Sequence, residues 1–423
     1  MKGLFALSLL LSLTAYSTVY SADVQLSQND VSILIPLPTQ LSDASLMLKP
    51  TDSGKYGVLF PRQTLDRTFG VKDNVSGAFN GQNVDDANKI YSEVRVVAIR
   101  LDPCAPQSAQ STACKSQIRL IWQPIQQGPK GVRADDLGAH ISYDVPDDDF
   151  KRVVSELRVL KSSFGVTSTD EVLGVNPQLK KQGLNSAYAK NLFEIILSAV
   201  GESRVSRITY SFGTRGQGLW LFIGYNIIDG QFQEFQIPRS GGDEQAGNHG
   251  LSQTFQNCVL SSASILVSPP DYFDGKDPTT FLVDDGPNGA MSPPPQGNDT
   301  FQDLFTAKKN SDSQKVTRDY LSTLRIENPR FHNVENTDCL SCHTSQMARL
   351  SVDRLFPDLN LGQKGLDEKA TFQSKYLLTN SSTRPEKTTV LRNFGYDGMD
   401  PAINQRTVNE TAYVLEQLNR VGR

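Results

Sequence analysis

The chain has 423 residues, of which 38% are hydrophobic and 21% are charged, and its formal net charge is −4. This composition is that of an ordinary globular protein that is long enough for two or three domains. Because a weakly acidic chain has no electrostatic attraction for nucleic acid or for an anionic membrane surface, we expect neither as a partner.

The first 22 residues predict a secretory signal peptide. Lys2 precedes an apolar stretch at residues 4–13, which is too short to span a bilayer, and small residues at 21–22 offer a cleavage site. No later stretch approaches twenty apolar residues, so the protein is not expected to span the membrane. We therefore expect an exported protein, located in the periplasm of a bacterium.

A disulfide is expected between Cys104 and Cys114. Residues 93–101 and 117–125 on either side of this pair have the composition of two strands, which would bring the ends of the intervening loop together. In an oxidising compartment such a pair is expected to be bonded. Cys258 is then left over, and we expect it to pair with neither.

The disulfide hairpin belongs to a region, residues 23–283, whose pattern predicts an α+β domain of unknown role. Apolar residues recur with helical spacing over residues 148–162 and 186–200. Residues 218–228 and 231–237 are separated by Asp-Gly and predict a second hairpin. These apolar stripes are typical of core residues, so we assign them no chemical role.

Residues 284–300 are rich in Pro, Gly and polar residues, which predicts a linker to a second domain at 301–423. Within that domain, helical segments are expected near residues 301–308 and 314–325. A final amphipathic helix is expected to follow a capping box at residues 407–410.

The sequence Cys-x-x-Cys-His at Cys339, Cys342 and His343 is the covalent attachment motif of a c-type haem. Each thiol can bond to one vinyl group of the porphyrin, and the histidine can coordinate the iron. A thioredoxin-like pair would require a preceding buried strand, and a zinc site would require a fourth ligand. Neither is evident nearby, so one covalently attached haem is the favoured interpretation.

The segment from Cys339 to the C-terminus resembles the class I c-type cytochromes in having the motif, a loop-rich stretch with a candidate methionine, and a C-terminal helix. The resemblance implies a mostly α-helical fold, with His343 as the proximal iron ligand and Met399 as the distal one. Met347 is excluded because, one helical turn from His343, it projects from the same side. The expected fold class is therefore an α+β N-terminal domain with a mostly α-helical, cytochrome c-like C-terminal domain.

Other side chains are candidate iron ligands or partners of the haem propionates. His332 and His249 are alternative distal ligands, although an isolated histidine in a polar loop is typical of a solvated surface. His140 has no supporting context. Arg392 and Arg406 flank the candidate methionine and could reach the haem propionates.

The function expected from these features is electron transfer through the haem to an unidentified redox partner protein. The alternative is a haem-dependent enzyme or ligand sensor, in which the N-terminal domain covers an open iron coordination site. Substitution of Met399 by alanine separates the two, because loss of a thioether ligand would open the iron and lower its reduction potential.

Overall fold

The computed structural model describes residues 24–66, 87–106, 114–135, 137–166, 172–213, 219–234, 263–266, 299, 312–333, 342–343, 345–346, 349–350, 356–361, 369–377 and 392–419. Several expectations concern residues outside these ranges. They are the signal peptide, the linker apart from Asp299, the helix at 301–308, Cys258, His249, Cys339 and Met347.

The described residues form thirteen strands. They are β1 (Ser32–Leu34), β2 (Ser53–Gly54), β3 (Gly57–Val58), β4 (Val94–Pro106), β5 (Cys114–Gly128), β6 (Gly131–Ala134), β7 (Gly138–Asp144), β8 (Val205–Gly213), β9 (Leu219–Ile228), β10 (Gln231–Glu234), β11 (Ala263–Leu266), β12 (Phe394–Asp397) and β13 (Asp400–Ile403).

The α-helices in the same ranges are α1 (Gln28–Val31), α2 (Ala87–Glu93), α3 (Asp147–Ser163), α4 (Pro177–Gln182), α5 (Ala187–Leu197), α6 (Ser313–Ile326) and α7 (Gln405–Leu418). Short 3-10 turns occur at Leu41–Leu46, Glu202–Arg204 and Pro357–Leu359. Among these helices, none has both the length and the apolar character that a membrane span requires.

One nine-stranded antiparallel sheet dominates the described structure. Its main path runs β1-β4-β5-β7-β8-β9-β10, while β6 also pairs with β5 and β11 also pairs with β9. All pairs along this path are antiparallel, and the register shifts by irregularities in β4-β5 and in β7-β8. The pairs β2-β3 and β12-β13 form two separate small hairpins.

One face of the sheet is the apolar core. Trp122 of β5 and Tyr210 of β8 lie on this face, and both rings pack around Phe60, with centroid distances of 5.4 and 6.4 Å. Helices α3 and α5 pack against each other, and α3 also contacts β5. Their buried stripes are the ones that helical spacing predicted, so they contribute to hydrophobic stability.

The opposite face carries a row of polar residues. Directly paired residues share one face of a sheet, and the register joins six polar residues into one row across six strands. This row, called here the arginine row, is Ser32, Arg100, Arg119, Ser142, Arg207 and Asn226. His140 lies two residues before Ser142 on β7 and therefore points to the same face.

The C-terminal elements cover this polar face. The backbone N–H of Tyr396 in β12 donates to Gln123 Oε1 at 2.8 Å, and Gln123 Nε2 donates to the Tyr396 carbonyl at 2.9 Å. Gln123 shares a face with Arg119 because the two are four residues apart on β5. Helix α7 is joined to the same face by Glu410, whose Oε2 lies 2.8 Å from Arg100 Nη1.

The expected fold class is therefore wrong for the C-terminal part. A mostly α-helical, cytochrome c-like domain is not what the described residues form after Asp299: they include the β12-β13 hairpin, and this hairpin and α7 pack on the antiparallel sheet. The physical reason is that the polar sheet face needs cover and charge partners, which these elements supply. The domain boundary at 284–300 stays a prediction.

Most of the individual elements are confirmed. The hairpins β4-β5 and β9-β10 and the helices α3, α5, α6 and α7 lie where the patterns predicted them. The capping box at residues 407–410 is wrong, because α7 begins one turn earlier. Its N-cap is Asn404, whose side chain accepts a hydrogen bond from the Thr407 N–H at 2.9 Å.

The disulfide between Cys104 and Cys114 is confirmed. The two residues are bonded, with Cα atoms 4.8 Å apart, and Pro106 pairs with Cys114 at the end of the β4-β5 ladder. The bond therefore closes the loop between two strands that the sheet already aligns.

Replacement of Cys104 and Cys114 together by serine is expected to lower the free energy of unfolding by at most about 3 kcal/mol, since the loop that loses its closure is short. Urea denaturation of the exported protein measures the loss. Reductant should destabilise the wild type by a similar amount and leave the double variant unchanged. Equal stability of the two proteins under oxidising conditions would contradict the bond.

Candidate haem site

The described half of the motif lies in helical backbone. Cys342 and His343 are both half-buried, and Cys339 lies outside the described residues. The Asn393 side-chain amide donates to Cys342 Sγ at 3.5 Å. Asn393 comes just before β12, so the motif lies beside the start of the hairpin that covers the polar face.

The residues after His343 fix this segment to two helices. Gln346 Oε1 accepts a hydrogen bond from the Gln405 N–H at the start of α7, at 2.6 Å. Arg349 pairs with the buried carboxylate of Glu327 at 3.1 Å, just beyond the end of α6. Burial raises the pKa of Glu327, although the charge of Arg349 opposes this change. The motif segment is thus joined to both α6 and α7.

Arg392 connects the motif to the sheet. It is buried next to Asn393, and its Nη1 lies 3.2 Å from Ser211 Oγ on β8. The same guanidinium occupies the space above Gly138, where a Cβ atom would lie 2.0 Å from Nη1. A side chain at Gly138 would therefore displace Arg392 from the polar face.

His140 lies on the same face as Gly138, two residues further along β7. Burial lowers its pKa well below the usual value, and the charges of Arg119, His343, Arg392 and Arg100 lower it further. His140 is thus an imidazole on the sheet face that the C-terminal elements cover.

A buried ion-pair network adjoins this region. Glu410 of α7 pairs with Arg100 and, at 2.8 Å, with Arg406. Burial alone would raise the pKa of Glu410, but Arg406, Arg100 and Arg119 together lower it to about 2. Arg406 also donates to the His332 carbonyl at 3.0 Å. Arg406 and Arg392 are both buried. Arg406 follows Gln405, which bonds the motif segment, and Arg392 contacts the sheet.

His332 is buried, in contrast to the solvated histidine that its polar loop suggested. Its Nε2 is hydrogen-bonded to Asp299 Oδ2 at 2.9 Å, and Asp299 also pairs with Arg325. The His332 Nδ1 atom is buried and has no hydrogen-bond partner within the described residues. His332 therefore has one ring nitrogen engaged by a carboxylate.

The side chain of Met399 lies far from His140 along the sheet. Met399 follows β12 and is 47% exposed, and its Cε lies 3.1 Å from where a Cβ of Gly131 would be. Gly131 pairs with Gly128 on β5. His140 pairs with Ile121 on the same strand, seven residues before Gly128. Seven strand residues span roughly 23 Å. Met399 as an iron ligand stays a prediction.

The donor set around the motif fits a haem. A thiol and an imidazole are supplied by Cys342 and His343, and His140 lies on the sheet face that the C-terminal elements cover. Arg119 and Arg392 supply positive charge that suits propionate groups. In the part of the chain that the structure describes, no group of three or more His, Cys, Asp and Glu residues is arranged to hold a metal ion.

Comparisons of the chain with protein-family profiles, curated proteins and solved structures give no match. The motif and its surroundings therefore carry the functional argument. His140 and the arginine row were not identified from the sequence. A partial signal is present in β5, where polar Gln117 and Arg119 alternate with apolar Ile118 and Leu120 and so indicate one polar sheet face.

Substitution of Glu410 by glutamine is expected to lower the free energy of unfolding at pH 7 by about 3 kcal/mol, because Arg100 and Arg406 lose their common carboxylate. The folded pKa of Glu410 is depressed, so its stabilisation is complete above its unfolded pKa near 4.5 and is lost as the pH falls towards 2. Urea titrations between pH 7 and pH 2.5 measure this trend.

Glu416 on the same helix is the matched control, because its partner Arg330 is 47% exposed. Glu416→Gln should cost less than about 1 kcal/mol at pH 7. A difference between Glu410→Gln and wild type that does not shrink on acidification would contradict the assignment of the depressed pKa.

Proposed function

We propose that the protein is an exported, c-type cytochrome-like electron-transfer protein with one haem covalently attached at Cys339 and Cys342. The observation that carries this proposal is the sequence Cys-x-x-Cys-His, completed by His343 as the proximal iron ligand. The haem supplies the one-electron chemistry, while the chain supplies attachment, axial ligation and the electrostatic environment.

Export is supported by two independent features. The first 22 residues have the charge, apolar core and small residues of a signal peptide. The Cys104–Cys114 bond is of the kind that persists in an oxidising compartment. Periplasmic localisation follows for a bacterial source, where haem attachment to this motif takes place outside the cytoplasm.

The surroundings of the motif support electron transfer. An iron whose two axial positions are both filled by protein exchanges electrons without binding a substrate. His140 lies on the sheet face that the C-terminal elements cover, and Arg392 over the same face supplies a positive charge that suits a propionate. The electron donor or acceptor is a second redox protein, which needs access only to an edge of the haem.

The proposal is tested by expressing the chain with its signal peptide in a bacterium that has the haem-attachment machinery. We expect haem to remain on the polypeptide through denaturing electrophoresis, as detected by in-gel peroxidase staining, because thioether bonds survive denaturation. Replacement of Cys339 and Cys342 together by serine should abolish the stain.

Cys258→Ser is the control, since it removes one cysteine outside the motif and should keep the stain. An exported wild-type protein of full length that carries no haem after electrophoresis would refute the proposal. Retention of haem by the double motif variant would equally refute attachment at Cys339 and Cys342.

A further inference from the structure

We propose that His140, on strand β7 of the large sheet, is the second axial ligand of the haem iron, opposite His343. This inference rests on the proposed function, because it requires haem at the motif. It assigns to the sheet a direct part in the cofactor site, where the distal ligand would come from a position about 200 residues before the motif.

The orientation of His140 comes from the sheet register. His140 pairs with Ile121 on β5 and with Thr209 on β8, and Ser142, two residues further on, belongs to the arginine row. Alternation along a strand puts His140 and Ser142 on one face. That face is the one covered by the C-terminal elements, so the imidazole points towards the layer that contains the motif.

The position of the motif over this face comes from a chain of contacts. Cys342 accepts a hydrogen bond from Asn393, and the adjacent Arg392 reaches Ser211 on β8 and the space above Gly138 on β7. Gly138 and His140 are neighbours on one face of one strand. The segment that carries His343 is therefore linked, through Asn393 and the side chain of Arg392, to a position on β7 that is two residues from His140.

The chemistry of the two imidazoles suits axial ligation. Imidazole is a common axial ligand of haem iron and binds the metal through a ring nitrogen. The guanidinium of Arg392 lies above Gly138, on the same face of β7 as His140. A guanidinium at this position suits a propionate carboxylate of a haem bound beside His140.

The other candidates have weaker geometry. The Nε2 atom of His332 is engaged by Asp299 at 2.9 Å. Met399 packs on Gly131, roughly 23 Å of strand away from the pairing position of His140. Among the described candidates His140, His332 and Met399, only His140 lies on the sheet face that Arg392 contacts.

The test uses full-length, haem-loaded protein and compares His140→Ala with Met399→Ala. Wild-type and Met399→Ala proteins should both have a low-spin spectrum and bind almost no carbon monoxide when reduced, because both axial positions are filled. His140→Ala should become high-spin and bind one carbon monoxide per haem. Added imidazole should restore its low-spin spectrum by filling the vacated position.

His140→Met provides a variant that retains a ligand and a side chain of similar length. It should stay low-spin and have a higher reduction potential than the wild type, because a thioether favours ferrous iron. If Met399→Ala opens the iron and His140→Ala does not, the inference is overturned. Ready binding of carbon monoxide by the wild type overturns it as well.

Failure of the inference is distinguishable from failure of the proposed function. Haem retained through denaturing electrophoresis in every variant supports attachment whichever residue proves to be the distal ligand. Absence of haem from the wild-type chain removes both. If His140→Ala loses its fold, as seen by far-ultraviolet circular dichroism, the potential and carbon monoxide binding of His140→Met and Met399→Ala decide the assignment.

Discussion

Glu410 holds the C-terminal helix against a sheet face that would otherwise bury arginines without counter-charges. A buried guanidinium is costly unless a carboxylate lies within contact distance. Glu410 pairs with Arg100 of the sheet and with Arg406 of its own helix, which explains a pKa of about 2 despite burial. The neutral hydrogen bonds between Gln123 and Tyr396 provide a second connection between the layers. Together these contacts determine that the C-terminal elements lie on the sheet.

The position of the haem motif follows from this arrangement. Gln346 of the motif segment accepts a hydrogen bond from the first turn of α7. Asn393, just before β12, contacts Cys342. Both elements are already attached to the polar face, so the motif is brought to the sheet without needing extensive contacts of its own. His140 lies on the same face of the sheet. Sheet and motif form one site in this account, whereas a class I cytochrome would build its haem pocket within its own helices.

Local patterns predicted the elements well and their assembly poorly. The patterns in the sequence predicted strands β4 and β5, helices α3 and α7 and the disulfide. Each of these depends on residues that are close to one another along the chain, so the sequence shows the pattern directly. The polar face depends on pairing between Arg100 and Glu410, which are 310 residues apart. A lone histidine such as His140 has no local signal, because its significance comes from register and from a distant motif. The resemblance to cytochromes likewise concerned the motif, and extending it to the fold was wrong.

We infer that haem lies between the motif and the polar face of the sheet. A crystal structure of the exported, haem-loaded protein would locate the iron and its two axial atoms. The account predicts thioether bonds at Cys339 and Cys342, with His343 on one side of the ring and His140 of β7 on the other. A haem that is enclosed by C-terminal residues alone, with Met399 at the iron and His140 remote from it, would contradict the account.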